Sequence, residues 1–411
     1  MRRLLVITTL VAVLASACGG SPAPEPPVGH VAMKLTDASS GFGLKMINRL
    51  LAEPEAGNVF ISPLSAEILL AMAASAAGGD TRAAMLIALG LDPGDDPSVE
   101  IGATIKRLAQ SDANAQLELA QAVWAQQGLK LNPAYVLKLR DDYRAQLASL
   151  DFRSPDAPKV VNAWVDNATH HKITQLVDAF DPNVVGYLVN ATYFHALWRV
   201  EFKSEQPRPF RTFQGSSVML PMMRRSESVA LLSTPDYQAA LLPYKGGRFS
   251  ALVLLPRNTL SPGEFAGFLS LSTWRQTLEY LHAASGSSLG GDCRSPEAAL
   301  APDAGIDCEG TLVMPKFTLE YRKDLTRTLP EIGFPAGPDL PAFCAGCYLS
   351  QVIQKTYLAV DEKGTTAAAA TGGAVATAAH LPMIVDHPFA FAIIDNATDA
   401  PLFLGAIGDL G

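Results

Sequence analysis

The chain has 411 residues, 48% hydrophobic and 18% charged, enough apolar material for one large buried core or two ordinary domains. Its formal charge of −8 argues against nucleic acid as a partner. Basic pairs such as Arg224-Arg225 are isolated and form no long stripe, so no polyanion cofactor is expected either.

Residues 1–17 read as an export signal, outside the fold. Arg2-Arg3 precedes an apolar run from Leu4 to Ala17, followed by Cys18-Gly19-Gly20. A charged start, a short apolar centre and small residues before a cut define a cleaved leader. The run is short for a transmembrane helix. Ala15-Ser16-Ala17-Cys18 also resembles a bacterial lipobox, with alanine at position 15 where leucine is commoner. On that reading Cys18 becomes a lipidated N-terminus, and Gly19 after it points to the outer membrane or cell surface. On the alternative reading an ordinary leader is cut near Ala17, Cys18 is incidental and the protein is secreted. Ser21 to Val28, with Pro22, Pro24, Pro26 and Pro27, reads as an extended tether. Residues 18–34 are thus expected to join the anchor to a domain spanning 35–411.

Helical character dominates the early part of that domain. Ser62-Pro63 offers an N-cap with proline in the first turn, and the apolar run through Met72 and Ala76 stops at Gly78-Gly79. Asp80-Thr81 starts another helix, ended by Gly90. Strand-like runs follow at Leu117 to Ala125, Val184 to Phe194, Phe249 to Leu255 and Val352 to Val360. Phe389 to Ile394 and Leu402 to Ile407 flank a turn around Asn396 and read as a hairpin. Helices and strands mix without regular alternation, repeat or second linker, which predicts one α+β domain.

Four cysteines remain beyond Cys18: Cys293, Cys308, Cys344 and Cys347. An even number in an exported chain favours two disulfides. Local pairing, Cys293 with Cys308 and Cys344 with Cys347, is expected, although the sequence alone allows three pairings. A redox role for Cys344-Ala345-Gly346-Cys347, or a zinc site made by all four, has less support. No thioredoxin-like strand–helix context and no zinc-ribbon spacing accompany them. Gly286-Ser287-Ser288-Leu289-Gly290 matches Gly-x-Ser-x-Gly but lies in a Gly- and Ser-rich stretch without the strand and helix of a nucleophile elbow. His170-His171 lacks metal-ligand partners at helical spacing and reads as surface histidines. No phosphate-binding loop or His-Glu-x-x-His motif is present. The expectation is a non-enzyme without cofactor or metal.

The most telling stretch is Glu362-Lys363-Gly364-Thr365-Thr366-Ala367-Ala368-Ala369-Ala370-Thr371, directly after the Val352 to Val360 strand. From Gly364 to Ala379 there is no charge and no proline. Exposed loops normally carry polar and turn-forming residues. Here the side chains are small enough to slide between existing strands. This hinge resembles that of the serpins, the serine-protease inhibitors whose loop inserts into a sheet. Further pieces in family order carry the same resemblance. Asn58-Val59-Phe60-Ile61-Ser62-Pro63-Leu64-Ser65 is similar to the early helix start, and Val161-Asn162-Ala163-Trp164-Val165 to the helix lying over the sheet. Leu188-Val189-Asn190-Ala191-Thr192-Tyr193-Phe194 with Trp198 is similar to a central strand and its top. Leu220-Pro221-Met222-Met223, His387-Pro388-Phe389-Ala390-Phe391 and Pro401-Leu402-Phe403-Leu404-Gly405 complete the match, from about Leu35 to the C-terminus.

The resemblance implies three β-sheets, a helical subdomain and an exposed reactive-centre loop at 362–386, with 283–311 an exposed, disulfide-closed insertion. It also implies suicide inhibition by a monomer that forms a covalent complex with its target. A protease takes the loop as substrate, and the cut loop enters the sheet and distorts the acyl-enzyme. The hinge residues are then Glu362, Gly364, Thr365, Ala367, Ala368, Ala369 and Ala370. Alternation places Thr365, Ala367, Ala369, Thr371, Gly373 and Val375 on the core face, and Gly364 supplies backbone freedom. Family loop length puts the reactive bond at Ala378–Ala379, or at Thr377–Ala378. Small side chains there suit elastase-like or subtilisin-like serine proteases over trypsin-like ones. Ser62, Ser65, Asn190 and Trp198 match positions of sheet opening, and Gln354 stands where many members carry histidine. Glutamine hydrogen-bonds but does not titrate. Two alternatives stay open: a cysteine-protease inhibitor of the same mechanism, and a non-inhibitory binding protein at the cell surface.

Overall fold

The computed structural model describes residues 30–53, 57–109, 114–227, 229–285, 304–308, 310–365 and 382–410. Among them three sheets are formed, of six, seven and four strands. The six-stranded sheet runs, edge to edge, Phe317–Asp324, Ile353–Val360, Gly364–Thr365, Gly186–Leu197, Ala115–Gln126 and Gln146–Leu150. Period-two alternation sends successive side chains to opposite faces. Val123 and Ala125 thus enter the main core, while Ala122 and Trp124 face a second apolar cluster with Val189. Helix Ala157–Ala168 caps that second face through Val161 and Val165.

The seven-stranded sheet contains the predicted hairpin, Phe389–Asp395 with Pro401–Ile407, next to Phe249–Pro256. All residues of these three strands are buried. Their near-continuous apolar runs follow from cover on both faces. The four-stranded sheet orders Met383–Ile384, Leu312–Pro315, Ser217–Arg225 and Lys203–Arg211.

Helix Pro63–Ala74 starts where the sequence predicts, with the Ser62 hydroxyl accepting from the Ser65 amide, and its residues are all buried. The next helix, Gly79–Ala88, begins one residue before Asp80 and has no side-chain cap. Two elements differ in extent from the sequence reading. The first helix is His30–Leu51, so helical backbone takes in residues 30–34 of the expected tether. Gly305–Asp307, inside the expected exposed loop, pairs with Ala230–Ser233 as an edge strand. An open sheet edge offers ladder groups to any nearby extended segment, which explains the pairing. Among the described residues no helix is long and apolar enough to cross a membrane.

Candidate functional site

Strand Ile353–Val360 ends in a tight turn that feeds Gly364–Thr365 straight back into the six-stranded sheet. The turn is closed by Asp361. Its carboxylate accepts from the amides of Lys363 at 2.9 Å and Gly364 at 3.2 Å, and its own amide donates to the Gly364 carbonyl at 3.0 Å. Thr365 then lies opposite Val360 on one side and Ala196 on the other, with Gly364 opposite Leu197. A Cβ at Gly364 would come within 2.2 Å of the Ala196 carbonyl oxygen, so only glycine fits. Beyond this rung the two flanking strands, Gly186–Leu197 and Ile353–Val360, make no pairing with each other among the described residues. At the far end they border a cleft of about 610 Å³ lined in part by Gly186, Val189, Asn190, Phe343 and Ile353.

Trp198 holds the top of this gap. It is fully buried, donates from Nε1 to the Asp361 carbonyl at 2.8 Å and from its amide to the Lys363 carbonyl at 2.9 Å. The Phe202 amide donates to the Glu362 carbonyl at 2.7 Å. Trp198 also stacks on Tyr244, ring centroids 4.4 Å apart. The Tyr244 hydroxyl shares a 2.8 Å hydrogen bond with Thr365 Oγ1, in a place where burial pushes the phenol far above its usual range and keeps it protonated. Glu362 is buried against Lys316, Nζ to Oε1 2.9 Å. Burial works to raise its carboxyl, but the hydrogen bond and charge of Lys316 prevail and hold it below the ordinary carboxylate range. Tyr244, Lys316 and Asp361 were not among the residues picked from the sequence, where no spacing relates them to the hinge. Tyr244→Phe removes one hydrogen bond of the buried Thr365 side chain, a loss of about 0.5–1.5 kcal/mol. Hydrogen exchange at the amides of Gly364 and Thr365 should quicken by roughly two- to tenfold, and unchanged protection there would refute the role given to Tyr244.

Of the residues expected to govern sheet opening, Ser62, Ser65, Asn190 and Gln354 come together beneath the central strands, while Trp198 stands apart at the top of the gap. Gln354 and Ser62 exchange two hydrogen bonds, Gln354 Nε2 to the Ser62 carbonyl at 2.8 Å and the Ser62 amide to Gln354 Oε1 at 3.3 Å. Ser62 Oγ donates to the Leu402 carbonyl at 2.7 Å. Ser65 Oγ donates to Asn190 Oδ1, which also accepts from Thr192 Oγ1 at 3.1 Å. Asn190 Nδ2 and, opposite it in register, Gln121 Nε2 are buried without an acceptor among the described residues.

Over the outer face, residues 170–178 form a strap from one flank of the gap to the other. His170 pairs with Glu118 at 3.0 Å and packs on Tyr193, while Lys172 lies over the Tyr357 ring. Lys355 and Arg322 donate to the carbonyls of Gln175 and Leu176. The two histidines are exposed, as expected, and His171 pairs with Asp166. No group of three or more metal-ligating side chains occurs among the described residues.

Ala367, Ala368, Ala369, Ala370, Thr377, Ala378, Ala379, Cys18 and Cys293 lie outside the described residues, as do the Gly286–Gly290 motif and the expected Cys293–Cys308 pairing. Cys344 and Cys347 stand as a close pair, Cα atoms 5.2 Å apart, within the span of a disulfide.

The sequence model of the family described as Serpin (serine protease inhibitor) matches residues 37–291 and 293–410. Leukocyte elastase inhibitor of Bos taurus is 31% identical over 396 residues, 91% of this chain and 99% of that protein. Iripin-3 of Ixodes ricinus is 29% identical over 398 residues, covering 92% of this chain and 95% of the other. Among solved structures, the thermophilic serpin tengpin in its native state aligns with a TM-score of 0.76 at 23% identity, covering 95% of this chain and 97% of its own. Human glycosylated kallistatin gives 0.77 at 23% identity, covering 93% of this chain and 99% of its own. At that identity the two structures speak for the fold alone.

Proposed function

The chain belongs to the serpin family, and from that premise we propose that it is an irreversible inhibitor of serine endopeptidases acting by insertion of its cut loop into the six-stranded sheet. The observation that carries this reading is the seating of Gly364–Thr365 between two strands that are otherwise not paired with one another among the described residues. A further strand of about a dozen residues would add ladder bonds of roughly 0.5–1.5 kcal/mol each. Their sum is on the order of ten kcal/mol, comparable with the whole stability of a domain. The uninserted form is then metastable and lasts by kinetics.

The recognised bond in this reading is Ala378–Ala379 or Thr377–Ala378, and the targets are elastase-like or subtilisin-like enzymes. Relatives named leukocyte elastase inhibitor favour that class. The leader at 1–17 and the lipobox-like Cys18 support export and a lipid anchor, and local pairing of the four remaining cysteines accords with an exported protein.

The test mixes the domain lacking residues before Val31 with pancreatic elastase and with a subtilisin, followed by denaturing electrophoresis and mass spectrometry. The expected result is an SDS-stable adduct with cleavage after Ala378 or Thr377. Clean cleavage with no adduct by either enzyme would count against trapping, and an adduct only with a cysteine protease would move the target class.

A further inference from the structure

We infer that Cys344 and Cys347 form a redox-sensitive clasp that keeps the base of the central gap open, and that a dithiol reductant is its chemical partner. The inference rests on the proposed loop insertion. Residues 340–352 run along the base of the gap and continue directly into the flanking strand Ile353–Val360. On the way, Phe343 presses its ring on Gly186, the first residue of the opposite flank, so closely that a Cβ there would sit 1.9 Å from it. One short segment therefore touches both sides of the gap.

The cysteine pair closes the same turn that places Phe343. The amides of Phe343 and Cys344 both donate to the Leu340 carbonyl, the Cys347 amide donates to the Cys344 carbonyl, and the Leu340 amide donates to the Cys347 carbonyl at 2.8 Å. Gly346 takes φ +72°, which lets the chain reverse within four residues. Both cysteines line the wall of the cleft, beside exposed Ala345 and Gly346 and a Tyr348 side chain that is 61% exposed. Cys344 is half-buried and Cys347 is buried, so a small reductant reaches the pair from the Cys344 side.

A purely structural staple explains this pair poorly. Loop-closure stabilisation grows with loop length and is smallest for a bridge across two intervening residues. What the bridge does constrain is position: the wall bearing Phe343, Leu349 and Val352 beside a cleft whose other apolar lining includes Leu176, Phe180 and Tyr187. Phe343, Val352 and Leu176 are already buried, and half-buried Leu349, Phe180 and Tyr187 are the apolar groups left at the cleft. Such groups tend to close on one another, and a covalent clasp resists that collapse. Reduction proceeds by thiol–disulfide exchange. One thiolate of the dithiol attacks a clasp sulfur and forms a mixed disulfide, and the other clasp sulfur leaves as a thiolate. The second thiol of the reductant then closes its own disulfide. Two electrons and two protons pass to Cys344 and Cys347, and the reductant is left as the cyclic or bridged disulfide. The open clasp lets the base wall settle into the cleft and slows insertion.

The test treats the folded full chain with dithiothreitol or with oxidised glutathione and blocks free thiols with iodoacetamide, with peptide mapping to read each cysteine. Two readouts follow: the fraction of pancreatic elastase held as SDS-stable adduct, and the time course of thermal stabilisation after the loop is nicked. Reduction is expected to lower the adduct fraction and to slow stabilisation at least fivefold. Cys293→Ser/Cys308→Ser should keep this response, while Cys344→Ser/Cys347→Ser should match the reduced state under either condition. Equal rates in the two redox states of the wild-type chain would overturn the clasp, as would Cys344 and Cys347 that resist the dithiol in the folded chain, or a response that survives in Cys344→Ser/Cys347→Ser. Should no adduct form in either state, the inhibitory reading fails, and the nicked-loop time course still decides the clasp.

Discussion

In the proposed trapping reaction, Thr365→Arg is expected to leave only a substrate, with adduct formation lost and cleavage retained. Thr365 is 1% exposed, hydrogen-bonded through its hydroxyl to Tyr244, and its backbone is fixed between Val360 and Ala196. Placing a guanidinium there buries a charge in a site shaped for a hydroxyl, which costs several kcal/mol unless an anion compensates. A penalty of about 3 kcal/mol on the first rung slows insertion by roughly a hundredfold. That delay gives deacylation time to release an intact enzyme. Thr365→Ser keeps the hydroxyl and should keep trapping, which separates burial of charge from loss of a methyl group. The measurement is the molar ratio of inhibitor consumed per enzyme inactivated; a ratio unchanged in Thr365→Arg would remove the hinge from the mechanism.

Glu67→Gln is expected to raise stability at neutral and alkaline pH and to flatten its pH dependence. Glu67 lies on helix Pro63–Ala74, fully buried, with one carboxylate oxygen taking the Ser39 hydroxyl and Oε1 lacking a partner among the described residues. Burial raises its pKa from 4.5 to about 8, opposed only in part by Ser39. The folded chain therefore holds a proton that the unfolded chain releases above pH 4.5. The native state binds more protons across that interval, so stability is greatest below the unfolded value and falls as pH rises towards 8. At about 1.4 kcal/mol per pH unit, the loss by pH 7 is on the order of 3 kcal/mol. Glutamine keeps the shape and an acceptor for Ser39 without titrating. Denaturant midpoints at pH 5, 6, 7 and 8 should converge for wild type and variant at the acid end and separate towards pH 8. Parallel curves would mean that Glu67 is not the titrating group.

The elements that could be read from the sequence are those whose signals are local. The Ser62-Pro63 helix start, the strand runs and the closing hairpin carry their own caps, alternation and turns, and they stand within a few residues of where they were expected. Ser62, Ser65, Asn190 and Gln354, the residues expected to govern opening, gather because the helix start fixes two and strand periodicity aims the others at it. What could not be read depends on distant partners. Nothing near Tyr244 or Lys316 in the chain announces Thr365 or Glu362, since those pairs exist only once three sheets meet. Gly305–Asp307 became a strand because Ala230–Ser233 offered an edge, and its own residues give no such instruction. The resemblance implies a hinge that enters the sheet after a cut, whereas Gly364–Thr365 is seated in the intact chain. Small, uncharged residues suit loop and strand alike, and tertiary pairing decides between them.

That seated pair changes the kinetics expected of the segment that follows it. Bringing two remote chain segments into register carries a loop-closure entropy that must be met before any rung forms. With Thr365 already in register on both sides, each later residue needs only to fall in beside its predecessor, as in a zipper whose slider is engaged. Growth of this kind has no search phase, in contrast to the unfavourable nucleus that delays an isolated helix. The speed of the whole event is then set by obstacles on the track, chiefly the strap at 170–178 that ties Glu118 to Tyr357, Lys355 and Arg322 across the gap. In the proposed trapping reaction, the race against an enzyme's deacylation is decided there, by how quickly a few surface contacts give way.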